Sequence, residues 1–460
     1  MSPTRSGQAA ALAAAAIVLA SATAGAAGVG YDAEYRADYT DNAFLAQGDE
    51  EKVDELTHNY RVSLFGDLSA GKAQTQFVAN LEYKDYQDDL SEDTALSSFI
   101  GVSEIALTSR TLSWIVADAL GYYDSDPGLR FDSRNQERVN YFMTGPVLSY
   151  AIGANNDING KLLYTNHDRE GDDEDYDKVN ANLGWSKYLN NRENIGLDLD
   201  HTLMVYKDGA ERGDYTTTDL KALYRRGGVA DSYQLSVGVT HLETENGSTD
   251  TSGVFNALWE HLFTRRVGSD LEAGYNLTEA SVLNDTRLNA TGQFDSADES
   301  GLFYESMAAA RLFYRGIRSE VAFGLEARQL EYVDGPQVTS FQENDHNTYR
   351  SYLDLTRLAG RSLTFKAGFE AAQKDYVDSG YTDTLYTTEL GLDYALNRSL
   401  DLTTGIEYFV GESDLPAADG TEGLRDYDEF QATIGLHWDP FKRRRSVELD
   451  TSFADLGLID

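Results

Sequence analysis

Residues 29–39 read VGYDAEYRADY, with Val29, Tyr31, Ala33, Tyr35, Ala37 and Tyr39 on one face of an extended chain and Gly30, Asp32, Glu34, Arg36 and Asp38 on the other. A period of two held over eleven residues is a strand, because successive side chains of a strand point to opposite faces. The alternation returns at Ala73, Thr75, Phe77, Ala79, Leu81 and Tyr83, with Gln74, Gln76, Asn80, Glu82 and Lys84 opposite. It returns again at Ile195, Leu197, Leu199, Leu203 and Val205, and at Tyr233, Leu235, Val237 and Val239. Leu363, Phe365, Ala367 and Phe369 form a further copy, as do Leu400, Leu402, Ile406, Tyr408 and Val410, and Phe430, Ala432, Ile434, Leu436 and Trp438. Strands of a soluble sandwich average about 5 to 6 residues. These run about 10 to 13, the length of a tilted membrane-crossing strand.

Two kinds of connection separate the strands. Short ones lie near 69–72, 109–111, 189–193, 225–230, 264–268, 314–317, 359–361 and 397–399; long polar ones lie near 40–55, 85–94, 167–175, 243–252, 280–300, 333–347 and 411–426. Short turns on one rim and long loops on the other are the habit of bacterial outer-membrane barrels. The expected fold is all-β, a transmembrane antiparallel up-and-down barrel of about twenty strands (range 16–24), with both ends on the periplasmic side. The facing of 100–107, 112–122 and 349–355 is ambiguous, and a one-residue slip there would exchange the two faces.

Domain boundaries follow from the ends. Arg5, an Ala-rich stretch over 9–20 and the small residues Ala22, Ala24 and Ala26 make a secretory signal peptide, assigned to 1–26. The barrel is assigned to 27–441 and a short periplasmic tail to 442–460. The chain therefore belongs in the outer membrane of a Gram-negative bacterium. No later stretch is apolar enough for a spanning helix.

Composition agrees. Asp and Glu total 77 against 38 Lys and Arg, a formal net charge of −39; Tyr (29) and Gly (40) are abundant, Pro (6) is scarce and Cys is absent. Tyr-rich, Pro-poor acidic chains suit barrels with aromatic girdles and wet interiors. The absence of Cys excludes disulfides, thiolate metal sites and a lipoprotein anchor. So strong a negative charge excludes nucleic acid as a partner. The charge is also divided: Lys72, Arg110, Arg192, Arg225, Arg226, Arg265, Arg266, Arg315, Arg361 and Arg398 lie at the short turns, followed by the basic run 442–445 after the last strand, while the long loops carry the acids.

Motifs with chemistry are few. GDLSAGKA (66–73) approaches the phosphate-binding loop, but Ala73 has no hydroxyl for Mg²⁺ and the segment joins two strands. The histidines at 58, 167, 201, 241, 261, 346 and 437 have no ligand spacing, no nucleophile elbow is present, and DSDPG (124–128) lacks the acid that closes a calcium loop. An enzyme is therefore not expected, although a Ser/His/Asp site assembled in space leaves no sequence mark. No cofactor and no dedicated metal site is expected; the acidic loop REGDDEDYD offers Asp172, Asp173, Glu174 and Asp175 as weak divalent-cation ligands that could bridge to lipopolysaccharide. Candidate lumen-lining residues are Asp32, Glu34, Arg36, Glu82, Lys84, Asp198, Asp200, Glu272, Glu320, Glu326, Arg328, Glu370, Asp401 and Glu407. Carboxylates predominate among them, which favours cations or neutral solutes.

SRTLSWIVADALGYYDSDP (109–127), GWSKYLNNRENIGLDLDHT (184–202) and YRADYTDNAFL (35–45) resemble the outer-membrane β-barrel porins associated with exopolysaccharide and exosortase (PEP-CTERM) gene clusters. The resemblance implies a passive porin or conduit linked to polysaccharide export. It brings no catalytic residue. The chain departs from the group in its acidity and in ending at Asp460, so that Phe441, at the end of TIGLHWDPF, stands where a terminal aromatic is expected. Expected partners are outer-membrane lipid and lipopolysaccharide, the barrel-assembly machinery, and polysaccharide or small solutes. The alternative reading is a non-conducting structural or adhesion barrel whose acidic loops do the work.

Overall fold

The computed structural model describes residues 28–43, 52–87, 91–108, 111–124, 136–170, 175–207, 213–245, 247–279, 302–333, 345–377, 380–414 and 426–441. The expected signal peptide (1–26) and tail (442–460) lie outside them. Twenty strands follow one another: β1 Val29–Thr40, β2 Glu55–Ala70, β3 Ala73–Tyr86, β4 Thr94–Ala106, β5 Leu112–Asp124, β6 Gln136–Ala151, β7 Asn156–Arg169, β8 Tyr176–Tyr188, β9 Glu193–Tyr206 and β10 Tyr215–Gly227. The second half comprises β11 Asp231–Thr244, β12 Thr249–Leu262, β13 Val267–Glu279, β14 Leu302–Arg315, β15 Ser319–Tyr332, β16 His346–Ala359, β17 Leu363–Tyr376, β18 Thr382–Ala395, β19 Leu400–Ser413 and β20 Tyr427–Trp438. No helix occurs among the described residues.

Every strand pairs antiparallel with its neighbours in sequence, and β1 pairs with β20 from Ala33↔Trp438 to Thr40↔Gln431. The sheet closes on itself. Closure removes the unpaired edges that an open sheet of this size would expose. Most strands hold 13 or 14 residues. Such a strand is roughly 48 Å long, and a tilt of about 45° brings it to roughly 34 Å, close to the apolar thickness of a bilayer.

Connections from even to odd strands are short, from two residues (71–72) to five (107–111). The 66–73 segment is such a tight turn: Gly71 has φ +62°, and Ala70 pairs with Ala73. Connections from odd to even strands lie on the other rim and reach fourteen residues at 41–54 and twenty-two at 280–301. One expected long loop is instead a tight hairpin. Over 243–252 the ladder continues to Thr244 and resumes at Thr249, with Gly247 at φ +76° and the Thr244 N–H donating to Ser248 O at 3.0 Å. Glycine supplies the positive φ, so polar residues stay in the ladder instead of leaving it. Four connections that the sequence did not mark also appear, at 125–135, 152–155, 207–214 and 377–381.

Cross-strand register fixes the facing of every strand. Large apolar side chains on one face are exposed: Leu197 50%, Val237 48%, Phe323 45%, Phe369 45% and Ile434 52%. This is the convex outer wall. Among the ambiguous segments, β4 and β5 turn Ile100, Ile115, Ala117 and Ala119 inward, whereas β16 turns Tyr349, Leu353 and Leu355 outward.

Candidate functional site

The inner wall carries the charged chemistry. Each candidate residue chosen from sequence lies on the face opposite the exposed apolar one: Asp32, Glu34 and Arg36 on β1, Glu82 and Lys84 on β3, Asp198 and Asp200 on β9, Glu272 on β13, Glu320, Glu326 and Arg328 on β15, Glu370 on β17, and Asp401 and Glu407 on β19. The period of two places them there, since each but Glu320 follows an outward apolar neighbour by one residue, and Glu320 precedes one, Val321.

The register gathers these residues into three zones. Around the closure of β1 and β20, Arg61 pairs with Glu34 and stands opposite Glu82. Asp38 there accepts from Arg36 Nε at 2.7 Å, from Asn59 Nδ2 at 2.6 Å and from Thr433 Oγ1 at 2.8 Å. Thr40 Oγ1 donates to Glu429 at 2.7 Å, and His437 Nε2 lies 3.8 Å from Asp32.

On β8 to β10 the pattern changes to amide and carboxylate. Asn180 Nδ2 donates to Asp200 at 2.9 Å and to Thr202 Oγ1 at 3.0 Å; Asn182 Nδ2 donates to Asp198 at 2.9 Å. Asp200 stands directly opposite Asp219, whose carboxylate lies 2.9 Å from Lys221 Nζ. Like charges directly opposite are unfavourable, so amide and ammonium donors on both sides are what allow this pair.

On β13 to β18, arginines take over. Arg311 donates to Asp270 at 2.7 Å through Nε. Arg328 lies 3.1 Å from Glu305 and 3.3 Å from Glu326. Arg350 holds Glu370 with two bonds, 2.8 and 2.6 Å. Arg315 pairs with Glu320 at 3.0 Å and Lys366 with Asp393 at 3.0 Å. Such wet pairs contribute only about 0.2–1 kcal/mol each; their main effect is to neutralise the wall locally and to hold long side chains against it.

The sequence reading missed most of these partners. Arg61, Arg311 and Arg350 escaped because their strands mix apolar and polar residues, and only the facing of β16 decides where Arg350 points. It also missed an apolar zone on the inner wall of β4 to β7. There Ile100, Ile115, Ala117, Ala119, Val139, Tyr141, Met143 and Leu163 form one buried cluster. On β5 both faces are mainly apolar, with Ile115, Ala117 and Ala119 inside and Trp114, Val116 and Leu120 outside, which removes the alternation signal.

Of the acidic loop, Asp172, Asp173 and Glu174 lie outside the described residues. Asp175 accepts from the Arg169 N–H at 2.8 Å and lies 3.7 Å from Lys207 Nζ. Its carboxylate serves the loop's own closure.

Residues 346–424 match the family described as "Putative beta-barrel porin 2". That stretch runs from the start of β16 past the end of β19 and differs from the three segments that carried the resemblance above. No curated protein matches the chain. Among solved structures, the chain is similar to the FrpB iron transporter from Neisseria meningitidis, F3-3 variant, with 8% identity over 89% of this chain and 81% of that one and a TM-score of 0.48. It is similar to OpdO of Pseudomonas aeruginosa, with 11% identity over 90% and 98% and a TM-score of 0.43. It is also similar to the ferric enterobactin receptor PfeA of Pseudomonas aeruginosa, with 10% identity over 90% and 81% and a TM-score of 0.49. The family match thus falls on four consecutive strands, β16 to β19, of a closed 20-stranded antiparallel barrel.

Proposed function

We propose that the protein is a passive porin in the outer membrane of a Gram-negative bacterium and that it serves exopolysaccharide export as a conduit. The observation that carries this reading is the division of the wall: an exposed apolar outer belt and an inner face of paired Asp, Glu, Arg, Lys and Asn side chains. An outer belt of Leu, Val, Phe and Tyr belongs in lipid, and a barrel of this strand number has room for an aqueous interior. Amide and carboxylate ladders such as Asn180–Asp200 offer hydrogen bonds to hydroxyl-rich solutes without demanding a charge. The barrel would be inserted by the barrel-assembly machinery and contact lipid and lipopolysaccharide along the apolar belt. The polysaccharide link rests on the sequence resemblance alone.

Single-channel recording in planar bilayers tests the conduit. Discrete conductance steps of an open pore are expected, and their size should fall when neutral dextrans narrower than the lumen are added. Fractionation with soluble periplasmic proteins would end the membrane reading altogether.

A second reading, a non-conducting structural or adhesion barrel, is favoured by one observation: a cluster of inner side chains on β4 to β7 is closed to solvent, with Ala117 at 0%, Met143 at 1% and Leu163 at 3% exposure. A silent bilayer with fully folded protein would select it.

A further inference from the structure

On the outer wall at the short-turn rim, three side chains stand in one row across three strands. The register sets Asp231 of β11 opposite His261 of β12, and His261 opposite Ser269 of β13. All three lie on the same face as the exposed Tyr233, Leu235, Phe255 and Leu271. Asp231 Oδ1 is 2.6 Å from His261 Nδ1. A carboxylate that accepts from Nδ1–H selects the tautomer whose Nε2 is a free base, the tautomer a serine hydrolase needs.

Ser269 is the neighbour of His261 on the side away from Asp231. Directly opposed residues have Cβ atoms about 4.5–5.5 Å apart, so Ser269 stands within side-chain reach of the ring that Asp231 holds. Both residues are described, and no hydrogen bond joins them here. Catalytic contacts are often long in substrate-free sites and tighten on binding.

The surroundings select the substrate class. The His261 ring packs 5.5 Å from Trp259 and edge-on at 4.7 Å from Phe263, and Trp259 stacks on Tyr233 at 6.4 Å. An outward aromatic girdle sits at the level of the lipid headgroup and ester region. Arg265 and Arg266 lie in the turn that joins β12 to β13, and Arg226 is the in-register neighbour of Tyr233 on β10. Guanidinium groups at that level suit phosphate.

We propose that Asp231, His261 and Ser269 form a serine acyl-hydrolase site that cleaves fatty-acyl esters of glycerophospholipids in the adjoining leaflet. Ser269 Oγ bonds to the ester carbonyl carbon while His261 Nε2 takes its proton. The bond from that carbon to the glycerol oxygen breaks, and the oxygen leaves with the proton as lysophospholipid. Water, deprotonated by the same Nε2, then hydrolyses the acyl-serine, releases the fatty acid and restores Ser269. Asp231 is a positioning residue that holds the tautomer.

The test uses the full folded chain in mixed micelles of detergent with phosphatidylethanolamine and phosphatidylglycerol. A fluorophosphonate probe is expected to label the peptide that contains Ser269, and free fatty acid is expected to accumulate. Ser269→Ala should abolish both while leaving heat-modifiable electrophoretic migration unchanged. His261→Ala should lower the rate by about 10³-fold or more. Asp231→Asn should also lower it, with partial rescue by Asp231→Glu, which a purely structural role would not show. Folded protein that neither takes the label nor releases fatty acid would overturn the proposal, as would a Ser269→Ala variant that keeps the wild-type rate.

Discussion

Leu199 and Asp198 are neighbours in the chain and face opposite media. Leu199 is 42% exposed on the outer wall, while Asp198 accepts from Asn182 on the inner one. Leu199→Arg is therefore expected to cost about 2–4 kcal/mol if it lies near the bilayer midplane, read from urea unfolding in lipid vesicles. Asp198→Asn keeps an acceptor for the same amide and should change stability by less than about 0.5 kcal/mol. Equal losses would mean that β9 lies in a two-sided core. Asp118 breaks the outer pattern. It lies on the outer face opposite Gly101 and Phe142, where an acid has no favourable medium. Asp118→Leu is expected to stabilise the barrel in vesicles by about 1 kcal/mol; a loss of stability would show that Asp118 has a partner in the membrane.

Closure is the property that elements share, and its ladder between β1 and β20 is among the shorter ones, from Ala33↔Trp438 to Thr40↔Gln431. Side chains reinforce it: Thr40 bonds Glu429 on the inside, and Tyr31 packs 5.6 Å from Trp438 and 5.2 Å from Phe441 at the short-turn rim. Phe441 thus lies beside the first strand, where it can help set the seam. Ala37 and Ile434 are directly opposed on the outer wall. In the double variant Ala37→Cys, Ile434→Cys, mild oxidation should join the first and last strands, and the denatured, unreduced chain should migrate faster on a gel. No shift would mean that these strands do not meet. The β6–β7 ladder shows the opposite case: its paired residues are interrupted between Thr144↔Tyr164 and Val147↔Lys161. Pro146 has no N–H to donate there, and Gly145 lies against the Leu162 carbonyl so closely that no Cβ would fit.

The whole molecule is polar in both senses of the word. One rim has short turns with Lys72, Arg192, Arg225, Arg226, Arg265, Arg266, Arg315, Arg361 and Arg398 at or beside them, and the other has the long acidic connections. If the long rim faces outward, protease added to intact cells should cut within 169–177 and spare 225–230; the reverse result would invert the orientation. Excess carboxylate on the inner wall should also give a weak preference for cations. Fixed charge acts over about a Debye length, roughly 8 Å at physiological salt, so it reaches only part of a wide pore. The preference should fade as salt rises and shrink at low salt when Asp198, Asp200 and Glu272 are neutralised together. A reversal potential that reports anion selectivity at low salt would refute it.

The sequence by itself determined the strand architecture, because period-two alternation is a local property: VGYDAEYRADY already separates Tyr31 and Tyr35 from Asp32 and Glu34. Regular strand lengths and alternating turn lengths then led to about twenty strands and two unlike rims, and the structure has twenty. Alternation also put Asp198, Glu326 and Glu370 on the polar face. It could not tell which strands meet across a row, since that depends on register, and register depends on every hairpin before it. Only closure of the sheet brings Thr40 to Glu429, and only the register of the β16–β17 hairpin brings Arg350 to Glu370. Where both faces are apolar, as on β5 with Trp114 outside and Ile115 inside, local pattern is silent and the curvature of the barrel decides. The row Asp231, His261, Ser269 belongs to the same class: its members are ordinary turn-side residues in the sequence, and three paired strands make them neighbours.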